Sequence, residues 1–222
     1  MPRGVARLEQ RLRRQEVAAR IVSSTKALLA ERAWSDVAVD DVMAAAGASR
    51  TTFYRHFDDR QALLLTLLGE LHDDMGAHGA AWAADDRDPM ISTREHLQRL
   101  VDVFVANAPV LRALSEAASS EPDVDTAYQE MANGFITATA TRVEREVRRG
   151  VSHVADPTET ARALVWLTER YLTQTVARRH ANPSVELIAT TLSDIWIKAI
   201  WDHPPHPAGD ARKADQRRSR ST

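Results

Sequence analysis

The sequence contains no cysteine, and this absence excludes several kinds of chemistry at once. Disulfide bonds, thiolate-bound zinc, iron–sulfur clusters and cysteine nucleophiles all need a thiol. A chain without cysteine suits the reducing cytoplasm, where we expect this protein to act. Long hydrophobic runs are also missing, because no stretch reaches the roughly 18 apolar residues that a membrane-spanning helix needs. The first residues lack the apolar core of a signal peptide. We therefore expect no membrane partner. Separately, we expect no cofactor.

Net charge is scarce as well, at -2 for 222 residues, but the sum conceals an uneven distribution. Residues 1–64 carry a net charge of +3, residues 65–203 carry -8, and residues 204–222 carry +3. A basic front beside an acidic middle indicates a polyanionic partner for the front only. Charge also scatters unevenly by chance, so the distribution alone leaves both interpretations open.

The alternation typical of strands is missing, whereas apolar residues recur three and four positions apart throughout the chain, which predicts an all-α fold. We expect about nine helices, over residues 9–33, 39–46, 50–57, 60–83, 92–107, from Pro109, 124–149, 157–181 and from the Asn182-Pro183 pair to about Trp201. Ser92 and Glu95 are predicted to form a capping box. Residues 204–222 have no apolar side chains to bury in a core and are predicted to be a disordered tail.

Two short predicted helices flank a tight turn at Gly47-Ala48-Ser49, which is the helix-turn-helix arrangement. Phe53 and Phe57 lie one helical turn apart, and we expect them to anchor the second helix in a core. The remaining positions would be exposed: Arg50, Thr51, Thr52, Tyr54, Arg55 and His56. Arginine forks, hydroxyls and methyl groups suit base edges and phosphates in a major groove. Helix pairs without any DNA partner share this spacing, so the pattern alone leaves that alternative open.

The segment VDDVMAAAGASRTTFYRHFDDRQAL, residues 39–63, resembles the N-terminal domain of the TetR family of bacterial transcriptional repressors. The Gly-x-Ser turn, the Phe-Tyr-x-x-Phe block and the basic residue three positions later carry this resemblance, which spans about residues 17–68. Three further placements are similar to the EthR-type branch of the family: Leu64-Leu65-Thr66-Leu67-Leu68, Glu169-Arg170 and Ile195-Trp196.

The resemblance implies an N-terminal three-helix DNA-binding domain over residues 17–64 and a larger C-terminal helical domain over residues 65–203 for ligand binding and dimerisation. Base contacts are implied for Arg50, Thr51 and Tyr54. Phosphate contacts are implied for Ser49, Thr52, His56 and Arg60.

The family usually places Ser or Thr as the cap of the first motif helix, where this chain has Ala38, and loss of such a cap costs about 1 kcal/mol. Asp40 and Asp41 in that helix suit its dipole but repel DNA. We expect a basic flexible arm, residues 1–16, to compensate by binding phosphates or the minor groove. A solubilising tail is the alternative for this arm, whose arginines are Arg3, Arg7, Arg11, Arg13 and Arg14.

The larger domain is predicted to hold a small apolar effector, because Thr residues on apolar helix faces leave room for a lined cavity. By position, the resemblance implies a pocket of Phe104, Phe135, Thr139, Thr168, Glu169 and Trp196. Val165 and Thr168 stand where the EthR-type pocket carries amides, so we expect an elongated apolar ligand. For Glu169, an ion pair with an arginine is the alternative.

Apolar residues on the last two predicted helices cover more than one core-facing stripe, which predicts a homodimer built as a four-helix bundle. The expected interface residues are Leu164, Leu172, Val185, Ile188, Leu192 and Ile195. Two-fold symmetry would present two reading helices to a palindromic operator with half-sites about 34 Å apart.

These expectations describe a repressor that a bound effector releases from its operator. Two other functions are alternatives to it. One is a metal-dependent enzyme, for which the loosely spaced candidate ligands are His72, Asp73, Asp74, His78 and His96. The chain has none of the GxSxG, HExxH, P-loop or GxGxxG motifs, so we expect no enzymatic activity. The other is a helical protein-interaction module, in which the exposed Arg50 face would be dispensable.

Overall fold

The structure is a computed structural model that describes residues 3–177 and 184–201. In these ranges it contains nine α-helices and no strand, which confirms the predicted all-α class. The helices are α1 (Arg3–Glu31), α2 (Val39–Ala45), α3 (Arg50–Phe53), α4 (Arg60–Ala84), α5 (Pro89–Ala106), α6 (Ala108–Ala117), α7 (Pro122–Arg148), α8 (Pro157–Leu172) and α9 (Val185–Trp201). The predicted tail at 204–222 and the Asn182-Pro183 cap lie outside the described residues.

Local signals in the sequence account for several helix boundaries. Gly47 after α2 and Gly150 after α7 have φ angles of 62° and 72°, a region that glycine adopts at low cost. At the start of α8, the carboxylate of Asp156 accepts the backbone N–H of Glu159 at 3.0 Å. The hydroxyl of Ser184 caps α9 by accepting the N–H of Leu187 at 3.1 Å. These side chains occupy backbone donors that have no partner within the helix.

Helix α5 begins at Pro89, so the predicted capping box of Ser92 and Glu95 is wrong. One carboxylate oxygen of Asp88 accepts the N–H groups of Met90 and Ile91 at 2.8 and 3.1 Å. Aspartate followed by proline is a strong helix start, since proline lacks only a donor that would be unsatisfied there. Because Asp88 caps the helix four residues before Ser92, Ser92 lies within α5 and its side chain is buried.

Helix α1 begins at Arg3, so residues 3–16, predicted to form a flexible arm, are helical. The segment is rich in Arg, Leu, Glu and Gln, which are favourable residues inside helices.

At the other end of the chain, α8 stops at Leu172, and a π-helical turn over Thr173–Ala177 follows it.

The described residues divide into two compact units. The first contains residues 3–75, 103–131 and 172–177, and the second contains residues 76–102, 132–171 and 184–201. Within the first unit, α1 packs on α2 and α6, and α2 packs on α3. The predicted domain boundaries at 64 and 203 remain a prediction.

The second unit contains a buried ion pair. Arg142 and Glu146 lie one turn apart on α7, are 1% and 2% exposed, and approach to 2.9 Å between Nε and Oε1. Arg142 also donates to the backbone carbonyls of Trp82 and Asp85. Carbonyls at a helix end lack intrahelical donors, so this guanidinium completes the C-terminal end of α4 and ties α7 to it.

Among the helices of residues 3–177 and 184–201, none combines the length and the hydropathy that crossing a membrane requires.

Candidate nucleic-acid interface

Helices α2 and α3 form the predicted helix-turn-helix, joined by residues 46–49. The hydroxyl of Ser49 caps α3 by accepting the N–H of Thr52 at 3.2 Å. Phe53 and Phe57 are 0% and 8% exposed, with ring centroids 5.4 Å apart. The prediction that these two rings anchor the second motif helix is confirmed.

Regular α-helix in the second motif helix ends at Phe53, four residues earlier than predicted. The N–H groups of Arg55 and His56 bond to carbonyls three residues back, at 3.2 and 2.8 Å. Bonds of this kind tighten the backbone into a turn. The exposed side chains therefore lie on one helical turn and the tighter turn that follows it.

Arg50 is held between two partners on this exposed surface. Its NH1 group donates to both carboxylate oxygens of Asp40 at 3.1 and 2.9 Å, and its NH2 group donates to the hydroxyl of Tyr54 at 3.3 Å. The structure thus brings together two of the three residues predicted to read bases, and the third, Thr51, is exposed beside them. An ion pair this exposed to solvent is weak, so a base edge or phosphate can replace Asp40.

Asp40 and Asp41, both in α2, each have partners outside that helix. Asp41 accepts the backbone N–H of Ala38 at 3.2 Å and lies 3.5 Å from the guanidinium of Arg32. This contact supplies half of a capping box where the family's usual hydroxyl is missing. Arginines accompany both carboxylates, which reduces the repulsion that two unpaired aspartates would exert on DNA.

The predicted phosphate-binding residues are arranged in two ways. The hydroxyls of Ser49 and Thr52 lie 3.0 Å apart at the start of α3, where the helix dipole favours an anion. His56 is half-buried after α3, and burial, followed by the charges of Arg14 and Arg55, lowers its pKa. A neutral imidazole can still donate one N–H to a phosphate oxygen.

Arg60 points elsewhere than its predicted phosphate role requires. Its NH1 group donates to the carbonyls of Trp34 and Val37 at 3.2 and 2.9 Å. Its guanidinium carbon lies 4.4 Å from the centroid of the Trp34 ring. The structure therefore uses Arg60 to hold the turn between α1 and α2, and a direct phosphate contact stays a prediction.

Trp34 is 2% exposed and connects several elements of the first unit. The two carboxylate oxygens of Glu116 accept the backbone N–H groups of Trp34 and Ser35 at 3.2 and 3.0 Å. Glu121 accepts the indole N–H at 3.3 Å. Sequence reasoning treated this tryptophan only as the end of a helix, because no periodic signal links it to a carboxylate 82 residues away.

The predicted effector residues are only partly brought together. In the second unit, the buried indole N–H of Trp196 donates to the hydroxyl of Thr168 at 2.9 Å, and Thr139 is also buried. The ring of Phe135 lies 3.6 Å from the position that a Cβ on Gly79 would take, so glycine permits this approach. Phe104 belongs to the first unit, and Glu169 is half-buried in the second.

A cleft of about 110 Å³ lies in the second unit, and the sequence analysis missed it. Its lining is largely polar and shares no residue with the predicted pocket: His78, Ala81, Trp82, Asp85, Arg87, Ser92, Glu95, His96 and Arg99. The imidazole of His96 stacks on the Trp82 ring, with centroids 4.9 Å apart and an angle of 18°. Two of the candidate metal ligands, His78 and His96, line this cleft, but within residues 3–177 and 184–201 no three His, Cys, Asp or Glu side chains group as a metal site would.

Most of the predicted dimer-interface residues are buried within a single chain. Leu164, Leu172, Ile188 and Leu192 are at most 4% exposed, so they belong to the protomer's own core and their prediction as partner contacts is wrong. Val185 is half-buried, and Ile195 is exposed. Apolar spacing identified these helix faces as apolar but could not tell which face turns inward.

Residues 21–67 match the family described as bacterial regulatory proteins, tetR family. Residues 93–202 match the C-terminal domain of the transcriptional regulator EthR. The chain belongs to the TetR family. Its sequence is 28% identical over 190 residues to the HTH-type transcriptional regulator EthR of Mycolicibacterium smegmatis, covering 84% of this chain and 87% of that protein. EthR of Mycobacterium tuberculosis is 29% identical over 184 residues, covering 82% of this chain and 85% of that protein.

Solved structures share the fold at lower identity. The fatty acid degradation regulator FadR from Bacillus halodurans has a TM-score of 0.71 at 12% identity, covering 82% of this chain and 94% of that chain. GusR from Salmonella enterica has a TM-score of 0.69 at 17% identity, covering 83% and 95%. The predicted TetR-family, EthR-like recognition is confirmed, and this TetR-family chain is a DNA-binding transcriptional regulator. The EthR relatives are named as regulators and not as enzymes.

The cleft generates a prediction about pH. Burial, followed by the charges of His78 and Arg99, lowers the pKa of His96 from 6.5 to about 4. As the pH falls, His96 therefore binds a proton near pH 6.5 in the unfolded protein but only near pH 4 in the folded protein. The free energy of unfolding should fall by up to about 3 kcal/mol across this window as the pH drops, measured by urea denaturation.

The variant His96→Phe is the matched control, because a phenyl ring keeps the stacking on Trp82 without titrating. Its pH profile should be flatter between pH 6.5 and 4. Asp85, whose pKa is lowered to about 2 by Arg87, should lose its contribution only at lower pH in both proteins. Identical profiles for the two proteins above pH 4 would show that His96 is not the titrating group.

Proposed function

We propose that this TetR-family protein is a homodimeric repressor that reads a palindromic operator with α3 and is released by a small apolar effector bound in the second unit. The observation that supports this most directly is the exposed pair of Arg50 and Tyr54 on a turn whose two phenylalanines are buried. A rigid base under exposed donors is what sequence reading in a major groove requires.

In this proposal Arg50, Thr51 and Tyr54 contact base edges, and Ser49, Thr52 and His56 contact phosphates. Arg50 exchanges the carboxylate of Asp40 for a guanine edge or a phosphate. The exchange costs little because both partners are exposed in the free protein, with side chains 59% and 68% accessible. Asp40 also keeps Arg50 oriented before DNA arrives.

The proposed dimer uses the apolar side chains that a single chain leaves exposed on α8 and α9. Leu167 on α8 is 42% exposed, and Leu187 and Ile195 on α9 are 57% and 36% exposed. Leu187 and Ile195 lie eight residues apart, with the exposed Thr191 midway, so they share one side of α9. A second copy of this surface would cover them in a four-helix arrangement.

The proposed effector contacts Trp196 and Thr168, whose buried hydrogen bond places one polar contact beside aromatic rings. Elongated apolar molecules fit such a lining better than charged ones. Helix α4 is one continuous helix with residues in both units, so it can carry a shift from the effector to the reading helices. Release requires only that the effector binds the state with low DNA affinity more tightly.

The first test of this function is the double variant Arg50→Ala, Tyr54→Ala. It removes two proposed base contacts. A bidentate contact such as an arginine fork on guanine is worth about 1–3 kcal/mol of discrimination, so affinity for a duplex selected from random DNA should fall about tenfold or more. Arg162→Ala on α8 is the control for loss of an exposed arginine and should bind as the unchanged protein does. Unimpaired binding by the double variant would contradict the proposed base contacts of Arg50 and Tyr54.

A second test addresses the dimer. The variant Leu187→Asp, Ile195→Asp places two charges in the proposed interface and should shift sedimentation from dimer to monomer. Ile91→Asp on α5 is the control, because Ile91 is similarly exposed, at 55%, but lies on another helix. Equal dimer populations in the two variants would contradict an interface on α9.

A third test addresses the effector site. In Thr168→Val the indole N–H of Trp196 loses its acceptor, which costs about 1–3 kcal/mol unless a ligand supplies another. Decanol, as an elongated apolar probe with one acceptor, should therefore weaken operator binding at a lower concentration in this variant. Operator affinity without decanol should stay unchanged, and an equal response of both proteins to decanol would rule out this site for it.

A further inference from the structure

Residues 9–16 of α1 lie outside the core of the first unit. Each residue from Glu9 to Glu16 is exposed, and between Glu9 and Glu31 the first buried side chain is that of Ile21. A helical extension without a packed face receives little stabilisation from burial. The helical form of this extension must therefore come from local interactions or from a binding partner.

The charges of this extension are segregated around the helix axis. At about 100° per residue, Arg7, Arg11 and Arg14 fall within a sector of roughly 60°. Glu9 and Glu16 fall on the opposite side. Two further arginines, Arg13 and Arg20, lie four residues after these glutamates and on their side of the helix. One face is thus entirely basic, and the other is mixed.

The two faces differ in their internal balance. A glutamate four residues before an arginine is the favourable order for a helical pair, and both Glu9 with Arg13 and Glu16 with Arg20 have it. Arg7 and Arg11 have the same spacing but like charges, which destabilises a helix by a few tenths of a kcal/mol. The basic face therefore gains from an external anion, whereas the mixed face has its compensation within the helix.

The basic face is joined to the reading turn. The NH2 group of Arg14 donates to the backbone carbonyl of Arg55 at 2.9 Å, two residues after the end of α3. Besides burial, the charges of Arg14 and Arg55 both lower the pKa of His56, a proposed phosphate contact. The face that carries Arg7 and Arg11 therefore continues directly from the surface that α3 presents to DNA.

We propose that Arg7 and Arg11 bind the phosphate backbone of the DNA beside the bases that α3 reads. This inference rests on the proposed function and extends its interface. With a rise of 1.5 Å per residue, Arg7 lies about 10 Å along the helix from Arg14, which is enough to follow about three phosphates of one strand. The helix, about 10 Å wide, cannot enter a minor groove about 6 Å wide, so the phosphates are the targets.

The test compares two double variants of the full-length protein that lose the same charge. Arg7→Ala, Arg11→Ala removes the basic face, and Arg13→Ala, Arg20→Ala removes arginines from the mixed face. Affinity is measured against salt concentration on a duplex selected from random DNA by the unchanged protein. Each lost phosphate contact lowers the salt slope by about 0.9, so a dimer of the first variant should lose about 3 to 4.

The control variant should keep its slope to within about 1. Phosphate ethylation interference gives an independent readout, in which positions that block the unchanged protein should become neutral for the first variant only. Circular dichroism verifies helix content, which alanine should preserve.

Equal slope losses in the two variants would overturn the inference, because they would reflect general charge and not one face. An unchanged slope and interference pattern in the first variant would overturn it as well, while leaving the reading role of α3 intact. Failure of the unchanged protein to select any duplex would overturn the proposed function itself and this inference with it.

Discussion

The reading surface depends on how the chain is held between α1 and α2, and Trp34 is the centre of that arrangement. Its ring is buried against the guanidinium of Arg60, and its backbone and indole N–H groups are accepted by Glu116 and Glu121. Each partner comes from a different helix or helix start. A buried backbone donor without an acceptor costs about 1–3 kcal/mol, so displacement of α6 from this turn carries a direct penalty. The position of α2, and of α3 after it, is thereby linked to segments that follow far along the chain.

The charged side chains of the proposed reading surface are also arranged in pairs. Asp40 and Asp41 would repel DNA if they stood alone, yet each lies beside an arginine, Arg50 or Arg32. Exposed pairs of this kind are weak, which suits a surface that we propose exchanges protein partners for phosphates. In the second unit the pairing is of another kind. Arg142 and Glu146 are buried, and a charge there is retained only with a fixed partner.

The parts of the fold that local chemistry controls could be predicted. Gly47, Asp156 with Pro157, and the apolar spacing of α4 and α7 act within a few residues, so their helices appear close to the expected places. Competition between neighbouring signals was harder to judge. Asp88 starts α5 ahead of Ser92, and the arginine-rich segment before Val17 is helical where an arm was expected. Both cases turned on which of two local preferences is stronger, a difference of about 1 kcal/mol.

By itself, the sequence determined the all-α class and the helix-turn-helix with its two phenylalanine anchors, and its resemblance to known regulators indicated the TetR family. The class and the motif follow from spacing and residue type, which operate within one or two helical turns. Only the tertiary structure decided that Arg60 supports Trp34, that Arg50 rests on Asp40, and that Leu192 faces inward while Leu187 and Ile195 stay exposed. Such choices depend on which distant segments meet. The direction of a side chain is set by the partner that occupies the space beside it, and no periodicity encodes that partner.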